Sequence, residues 1–227
     1  VTFPRGRPEA ILFDWDSTLV DNWDSLARTM SLVLAESNRP PVARETMISL
    51  SKKPHDEIFA MLFESDAATS RLRFYELYSQ EHLSGLKILS GSEELLAALF
   101  RLSIPLAVVS NKKGVLVRRE IEHLGWSDYF FTIIGAGDAA RDKPHPDPVL
   151  LALENRLIPP SLNVWMLGDT SADIGAAGEA GISPILIETT ASLGMGLEGV
   201  FDTHKPVSRV KDADAFWELV QKAMAFA

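Results

Sequence analysis

Two rhythms of apolar residues divide this chain. Short unbroken runs, Ile11-Leu12-Phe13, Leu106-Ala107-Val108-Val109, Phe131-Thr132-Ile133-Ile134, Val164-Trp165-Met166-Leu167 and Ile185-Leu186-Ile187, have the length and composition of strands covered on both faces. Between them the spacing turns helical. A helix is predicted to open at Ser92, with the Ser92 hydroxyl as its cap and Glu93 and Glu94 in its first turn. Others are predicted over residues 115–124, stopped by Gly125, and over 147–155 and 173–180. Strands alternating with helices imply a parallel sheet with helices on both faces. Trp126, Tyr129, Phe130 and Phe131 are expected to pack beneath the edge of that sheet.

The second rhythm fills residues 22–85. Leu26, Met30, Val33 and Leu34 form one apolar stripe, broken by Asn38-Arg39-Pro40-Pro41. Helical stretches follow at 45–50, 55–63 and 68–82, where Phe74, Leu77 and Tyr78 share a face, and no strand is predicted among them. The expected organisation is a doubly wound α/β core, residues 1–21 with 86–227, interrupted by an all-helical insert over 22–85. Past Thr189, Gly194, Gly196 and Gly199 suggest a loop, residues 207–210 a short edge strand and residues 212–225 a terminal helix.

Composition narrows the function classes. With 227 residues, 46% hydrophobic and 23% charged, the chain can bury a substantial core and lacks the signature of disorder. A net charge of −9 argues against a nucleic-acid partner, whose phosphates demand Lys and Arg. The absence of cysteine excludes disulfides, thiolate zinc sites and cysteine nucleophiles. No paired helical spacing of the five histidines suggests zinc. Residues 1–8 have no apolar stretch of signal-peptide length, and no later run is long enough to span a bilayer. A cytoplasmic enzyme with no membrane partner is the expectation.

The chemistry gathers where the apolar runs stop. Ile11-Leu12-Phe13 ends in Asp14 and Asp16, which as i and i+2 residues share a side at the carboxyl end of a strand. Two anions so placed call for a hard cation such as Mg²⁺, and a carboxylate beside it could attack a phosphoryl group. Taken alone, the segment reads equally well as a polar strand-end turn. Further on, Val109 runs into Ser110-Asn111-Lys112-Lys113-Gly114 just before a helix, offering a hydroxyl and backbone N–H groups to a phosphate or to a simple cap. Lys143 lies in a loop stiffened by Pro144 and Pro146. Leu167 leads to Gly168, Asp169 and, four residues on, Asp173. Four acidic residues, a hydroxyl and a lysine thus converge on one edge of one sheet, a poor coincidence.

These residues resemble the motifs of the haloacid dehalogenase superfamily of phosphohydrolases, in its phosphoglycolate phosphatase-like branch, over essentially all of residues 10–188. Asp14-Trp15-Asp16-Ser17-Thr18 matches the first motif, Ser110 with Asn111 the second, Lys143-Pro144 the third, and Gly168-Asp169 with Asp173 the fourth. The resemblance implies a Rossmann-like core with a helical cap over 22–85, and a phosphatase acting on a small phosphorylated metabolite such as 2-phosphoglycolate. Asp14 would be the nucleophile and Asp16 the acid and base. Mg²⁺ would be held by Asp14, the backbone carbonyl of Asp16, Asp169 and, directly or through water, Asp173. Ser110, Asn111 and Lys143 would bind the phosphate oxygens. Lys52 and Lys53 in the cap would read the substrate. Ser17 departs from the pattern, standing where the family usually has Gly.

Rival readings share parts of this constellation. Asp16 disfavours dehalogenation, which needs no leaving-group proton. A phosphonoacetaldehyde hydrolase is similar in its Asp-Trp pair and in a cap lysine followed three residues on by histidine, here Lys52 and His55, but has Ala at the Asp16 position. A phosphomutase would use the same motifs. A signalling receiver module also clusters aspartates, Mg²⁺, a hydroxyl and lysine on a doubly wound sheet, without the helical insert or the Asp14-x-Asp16 arrangement. The spacings Gly135-x-Gly137 and Gly194-x-Gly196 fit dinucleotide binding only loosely, since Pro144 and Pro206 follow where a long helix should begin.

Overall fold

The computed structural model describes residues 6–50, 55–189 and 204–225. Lys52, Lys53, Gly194, Gly196 and Gly199 lie outside the described residues. In chain order the strands are β1 (Ala10–Phe13), β2 (Val20–Asp21), β3 (Lys87–Ile88), β4 (Leu106–Lys113), β5 (Phe130–Ala136), β6 (Val164–Gly168), β7 (Ser183–Ile187) and β8 (Ser208–Val210). The α-helices are α1 (Trp23–Glu36), α2 (Arg44–Leu50), α3 (His55–Phe63), α4 (Ala67–Glu81), α5 (Ser92–Arg101), α6 (Gly114–His123), α7 (Asp147–Glu154), α8 (Ser171–Glu179) and α9 (Ala213–Ala225). Two compact units result: residues 1–20 with 88–227, and residues 21–87. β2 and β3, where the chain passes between them, form a separate two-stranded sheet.

The larger unit is built on a six-stranded sheet of order β5-β4-β1-β6-β7-β8, parallel at every pairing. β1 is central because all four of its residues are wholly apolar and wholly buried, which only a strand flanked on both edges and covered on both faces can satisfy. Phe13 stands opposite Val108 of β4 and Leu167 of β6. Side chains alternate between the faces. Leu12, Ala107, Val109 and Met166 pack in one cluster with Val149 and Ala152 of α7 and Ala176 and Ala177 of α8. On the other face Phe216 of α9 sets its ring edge-on to Phe13 and Trp165, at 6.1 and 6.3 Å.

The chain moves outward from β1 to β4 and β5, then returns to β6 on the other side of β1. That reversal opens a crevice at the carboxyl end of β1, the place where open α/β sheets bind ligands. Gly125, with φ of +71°, follows α6 as the sequence predicts. The capping role expected of Ser92 does not hold: Gly91, at φ +81°, precedes the helix and Ser92 is its first residue. From there its hydroxyl cannot reach the second and third amides, and it is buried without a hydrogen-bond partner among the described residues.

Between β2 and β3 the described elements of the smaller unit are all helical, α1 to α4 with a short 3-10 turn at Glu64–Asp66, joined by irregular links. Phe59, Phe63, Phe74 and Tyr78 form a chain of ring contacts at 5.6 to 5.9 Å, and the buried Asn22 amide donates to the Tyr78 hydroxyl at 2.9 Å. Arg44 bridges Asp21 and Asp24 at 2.7 and 3.2 Å, tying α2 to the start of α1.

Candidate active site

Leaving β1, the chain folds into a tight turn in which the Trp15 carbonyl accepts from the amides of Leu19 and Val20 at 3.0 and 3.2 Å. Ser17 holds φ of +63° inside this turn and is buried. A side chain is strained in that region, whereas glycine is not. Ser17→Gly should therefore raise stability by up to about 1 kcal/mol, read as an increase in denaturation midpoint; a decrease would show that the serine side chain earns its place through its contacts.

The turn delivers Asp14 and Asp16 to different neighbours. Asp14 meets Lys143, whose ammonium donates to Asp14 Oδ1 at 2.7 Å, Asp173 Oδ1 at 2.6 Å and the Val109 carbonyl at 2.7 Å. All three ammonium protons are thereby used. Lys143 is fixed from its backbone as well. The Asn111 side chain accepts from the Lys143 amide at 3.0 Å and donates to its carbonyl at 2.9 Å. Asp173 sits in the first turn of α8, where its Oδ2 accepts from the Thr170 amide at 2.9 Å and hydroxyl at 2.6 Å. Gly168 makes room for it, since a Cβ there would come within 2.3 Å of Asp173 Cγ.

Asp14, Asp169 and Asp173 each offer an oxygen within 4.8 Å of the others, all three residues being buried. Burial pushes the Asp14 carboxyl up to about 7 against the pull of Lys143. Burial, reinforced by the Asp14 and Asp173 charges, pushes Asp169 well up too. Lys143 behaves oppositely: burial would lower it, but Asp14 and Asp173 together raise it. Asp169 Oδ1 is buried with no hydrogen-bond partner among the described residues. When ionised, three carboxylates against one ammonium leave two negative charges unmatched, the charge of one divalent cation. An orphaned carboxylate oxygen at such a point fits an oxygen-seeking metal.

Asp16 stands apart from that group. Its Oδ1 accepts from Lys112 Nζ at 2.8 Å, and the same ammonium donates to both oxygens of Glu120, at 2.8 and 2.7 Å. Burial raises the Asp16 carboxyl, with Lys112 pulling the other way. Glu120 Oε2 also accepts from the Trp15 indole at 2.6 Å, and Trp126 packs edge-on to Trp15 at 5.9 Å. Trp126 is buried and thus braces the turn after β1. Neither Lys112 nor Glu120 is among the site residues that the motifs imply. A signal for Glu120 existed: Leu116, Val117, Glu120 and Ile121 are buried on one face of α6, so a carboxylate interrupts an apolar stripe.

Ser110 is buried near the carboxyl end of β4, its Oγ accepting from the Lys112 amide at 3.1 Å. β4 continues to Lys113 beyond the predicted strand end, so Ser110 and Asn111 are strand residues and Lys113 precedes α6. Asp138, in the loop after β5, is held elsewhere, accepting from Arg118 at 2.7 Å and the Gly135 amide at 2.9 Å.

The haloacid dehalogenase-like hydrolase family model matches residues 11–187. A phosphoglycolate phosphatase of Rhodospirillum rubrum is 30% identical over 205 residues, covering 82% of this chain and 85% of that protein. Another, from Xylella fastidiosa, is 32% identical over 179 residues, 77% of this chain and 78% of its own. Among solved structures, a HAD-superfamily hydrolase from Ehrlichia chaffeensis is similar with a TM-score of 0.67 at 28% identity, covering 96% of this chain and 98% of that one.

Proposed function

We propose that this chain, which belongs to the haloacid dehalogenase-like hydrolase family and is a phosphatase-type enzyme of it, is a Mg²⁺-dependent phosphomonoesterase acting on a small metabolite phosphate of the 2-phosphoglycolate kind. The observation that carries the reading is the buried trio Asp14, Asp169 and Asp173, which among the described residues is short of two positive charges and has an unpartnered oxygen on Asp169. Asp14, Asp169 and Asp173 would hold the ion, with the Asp16 carbonyl beside them. When bound, it would shield the acidic cluster and offset charge on the phosphoryl oxygens.

The chain's own groups account for the remaining chemistry. The Asp14 carboxylate attacks phosphorus, the bond to the leaving oxygen breaks, and Asp16 gives that oxygen a proton. In the second half Asp16 takes a proton from water, whose oxygen displaces phosphate and restores Asp14. Lys143 fixes Asp14 through Oδ1 and sets a positive charge beside the transferring group. Ser110 supplies a hydroxyl. Because the Asn111 side chain is engaged with the Lys143 backbone, a phosphate contact from Asn111 falls to its backbone N–H. The helical unit over residues 21–87 acts as the cap, and Lys52 and Lys53 read the variable part of the substrate.

The deciding experiment is a panel with Mg²⁺ comprising 2-phosphoglycolate, small sugar phosphates, pyridoxal phosphate and phosphonoacetaldehyde. Inorganic phosphate should appear from at least one monoester, cease with EDTA and resume with excess Mg²⁺. Lys52→Ala combined with Lys53→Ala should lower kcat/KM on the preferred monoester more than on p-nitrophenyl phosphate. Silence on every monoester, or undiminished turnover in EDTA, would sink the proposal. Turnover of phosphonoacetaldehyde alone, with borohydride trapping on a cap lysine, would replace it with the phosphonate-cleaving rival.

A further inference from the structure

Around Asp16 runs a closed ring of contacts that the phosphoryl-transfer steps do not use. Trp15 and Asp16 are neighbours in the chain. The Trp15 indole donates to Glu120, Glu120 accepts twice from Lys112, and Lys112 donates to Asp16. Two members come from the turn after β1, one from the end of β4 and one from α6, so the ring fastens the turn to the rigid elements beside it.

Burial is graded around the ring. The Glu120 side chain is 0% exposed and that of Lys112 7%, whereas that of Asp16 keeps 28%. The ammonium thus reaches from a dry base toward the most accessible member. A buried ion pair is a weak source of stability, because apolar residues of similar volume often serve as well or better. Its usefulness lies in direction. Glu120 takes two of the contacts of the Lys112 ammonium and Asp16 another, so removing Glu120 would free Lys112 to shift relative to Asp16. With Glu120 anchored by the indole, Lys112 is held at a fixed point and touches Asp16 through Oδ1.

We propose that Lys112 and Glu120 are positioning residues for Asp16, Glu120 fixing Lys112 and Lys112 fixing the Asp16 carboxylate where it meets the leaving-group oxygen. Trp15 completes the device by binding Glu120 to the turn that carries Asp16. This rests on the acid–base role of Asp16 given above. The ring acts on proton transfer and leaves substrate binding to other groups, so its disruption shows in kcat rather than KM. It shows most where the leaving group needs a proton.

The test compares an alkyl phosphate, whose leaving oxygen must be protonated, with p-nitrophenyl phosphate, whose leaving group needs little help. Asp16→Asn sets the reference selectivity. Lys112→Met combined with Glu120→Leu removes both buried charges at similar volume and should melt at or above the parent temperature. Its kcat on the alkyl phosphate should fall about tenfold or more beyond any fall on p-nitrophenyl phosphate, with KM little changed. Glu120→Gln, nearly isosteric and still able to accept from Lys112 or Trp15, should lie between parent and double variant, and it carries the test alone if the double variant does not fold. Equal losses on both substrates, or no loss, while Asp16→Asn remains selective would overturn the positioning role and leave the acid–base reading standing. An unselective Asp16→Asn would overturn both.

Discussion

Asp14→Asn should reduce turnover of p-nitrophenyl phosphate by roughly 10⁴-fold or more, because it removes the proposed nucleophile and one of three buried carboxylates at once. The amide is nearly the same size, so the fold is expected to survive. The loss of a negative charge should even ease the metal-free protein. Asp14 accepts from Lys143 and lies near Asp169 and Asp173, and its carboxyl is already pushed up to about 7 by burial. A steady-state assay with Mg²⁺, alongside a thermal scan, separates the two effects. Turnover within a few-fold of the parent in a folded Asp14→Asn variant would end its assignment as nucleophile.

Lys143→Met should produce the largest loss of stability, about 3–5 kcal/mol, since it strips a buried cation from between Asp14 and Asp173. For a chain of this size that amounts to a melting temperature lower by roughly 6–20 °C. The loss depends on pH in a defined direction. In the parent the Asp14 carboxyl stands at about 7 because Lys143 pulls against burial; without Lys143 it rises further, so the variant goes on losing stability with pH above 7, where the parent's own decline has ended. The variant should accordingly suffer more at pH 8 than at pH 5, and Mg²⁺ should recover part of the deficit at pH 8. Thermal scans in EDTA and in Mg²⁺ at the two pH values read this directly. A Lys143→Met melting point equal to the parent's at pH 8 in EDTA would contradict the ion-pair account.

Strand-end chemistry is legible in this sequence for a physical reason. A strand covered on both faces must be apolar from end to end, so the first charged residue marks where the sheet meets the crevice, as at Asp14 and Asp169. The extension of β4 through Lys113 is not legible that way. Its last residues are polar, and the backbone pairing of Lys113 with Ala136, beyond a register shift after Val109, alone makes them strand. Ser92 misleads because serine favours both a cap and a first-turn position, and Gly91 in left-handed geometry takes the former. Lys112 cannot be told from Lys113 by type. Only the fold shows that one reaches Asp16 and Glu120 while the other remains exposed at the entrance to α6.

The central position of β1 imposes an order of events during synthesis. Its partners in the sheet are residues 106–108 and 164–167, so this apolar segment leaves the ribosome about 150 residues before its second edge can be covered. At ordinary elongation rates that is a wait of roughly 8–30 s. Helices α1 and α4 of the intervening unit are made within that interval and can pack on each other without anything that follows residue 87. Asp14 and Asp16 follow the apolar segment directly, the position in which charged residues flank strands that cannot avoid being apolar.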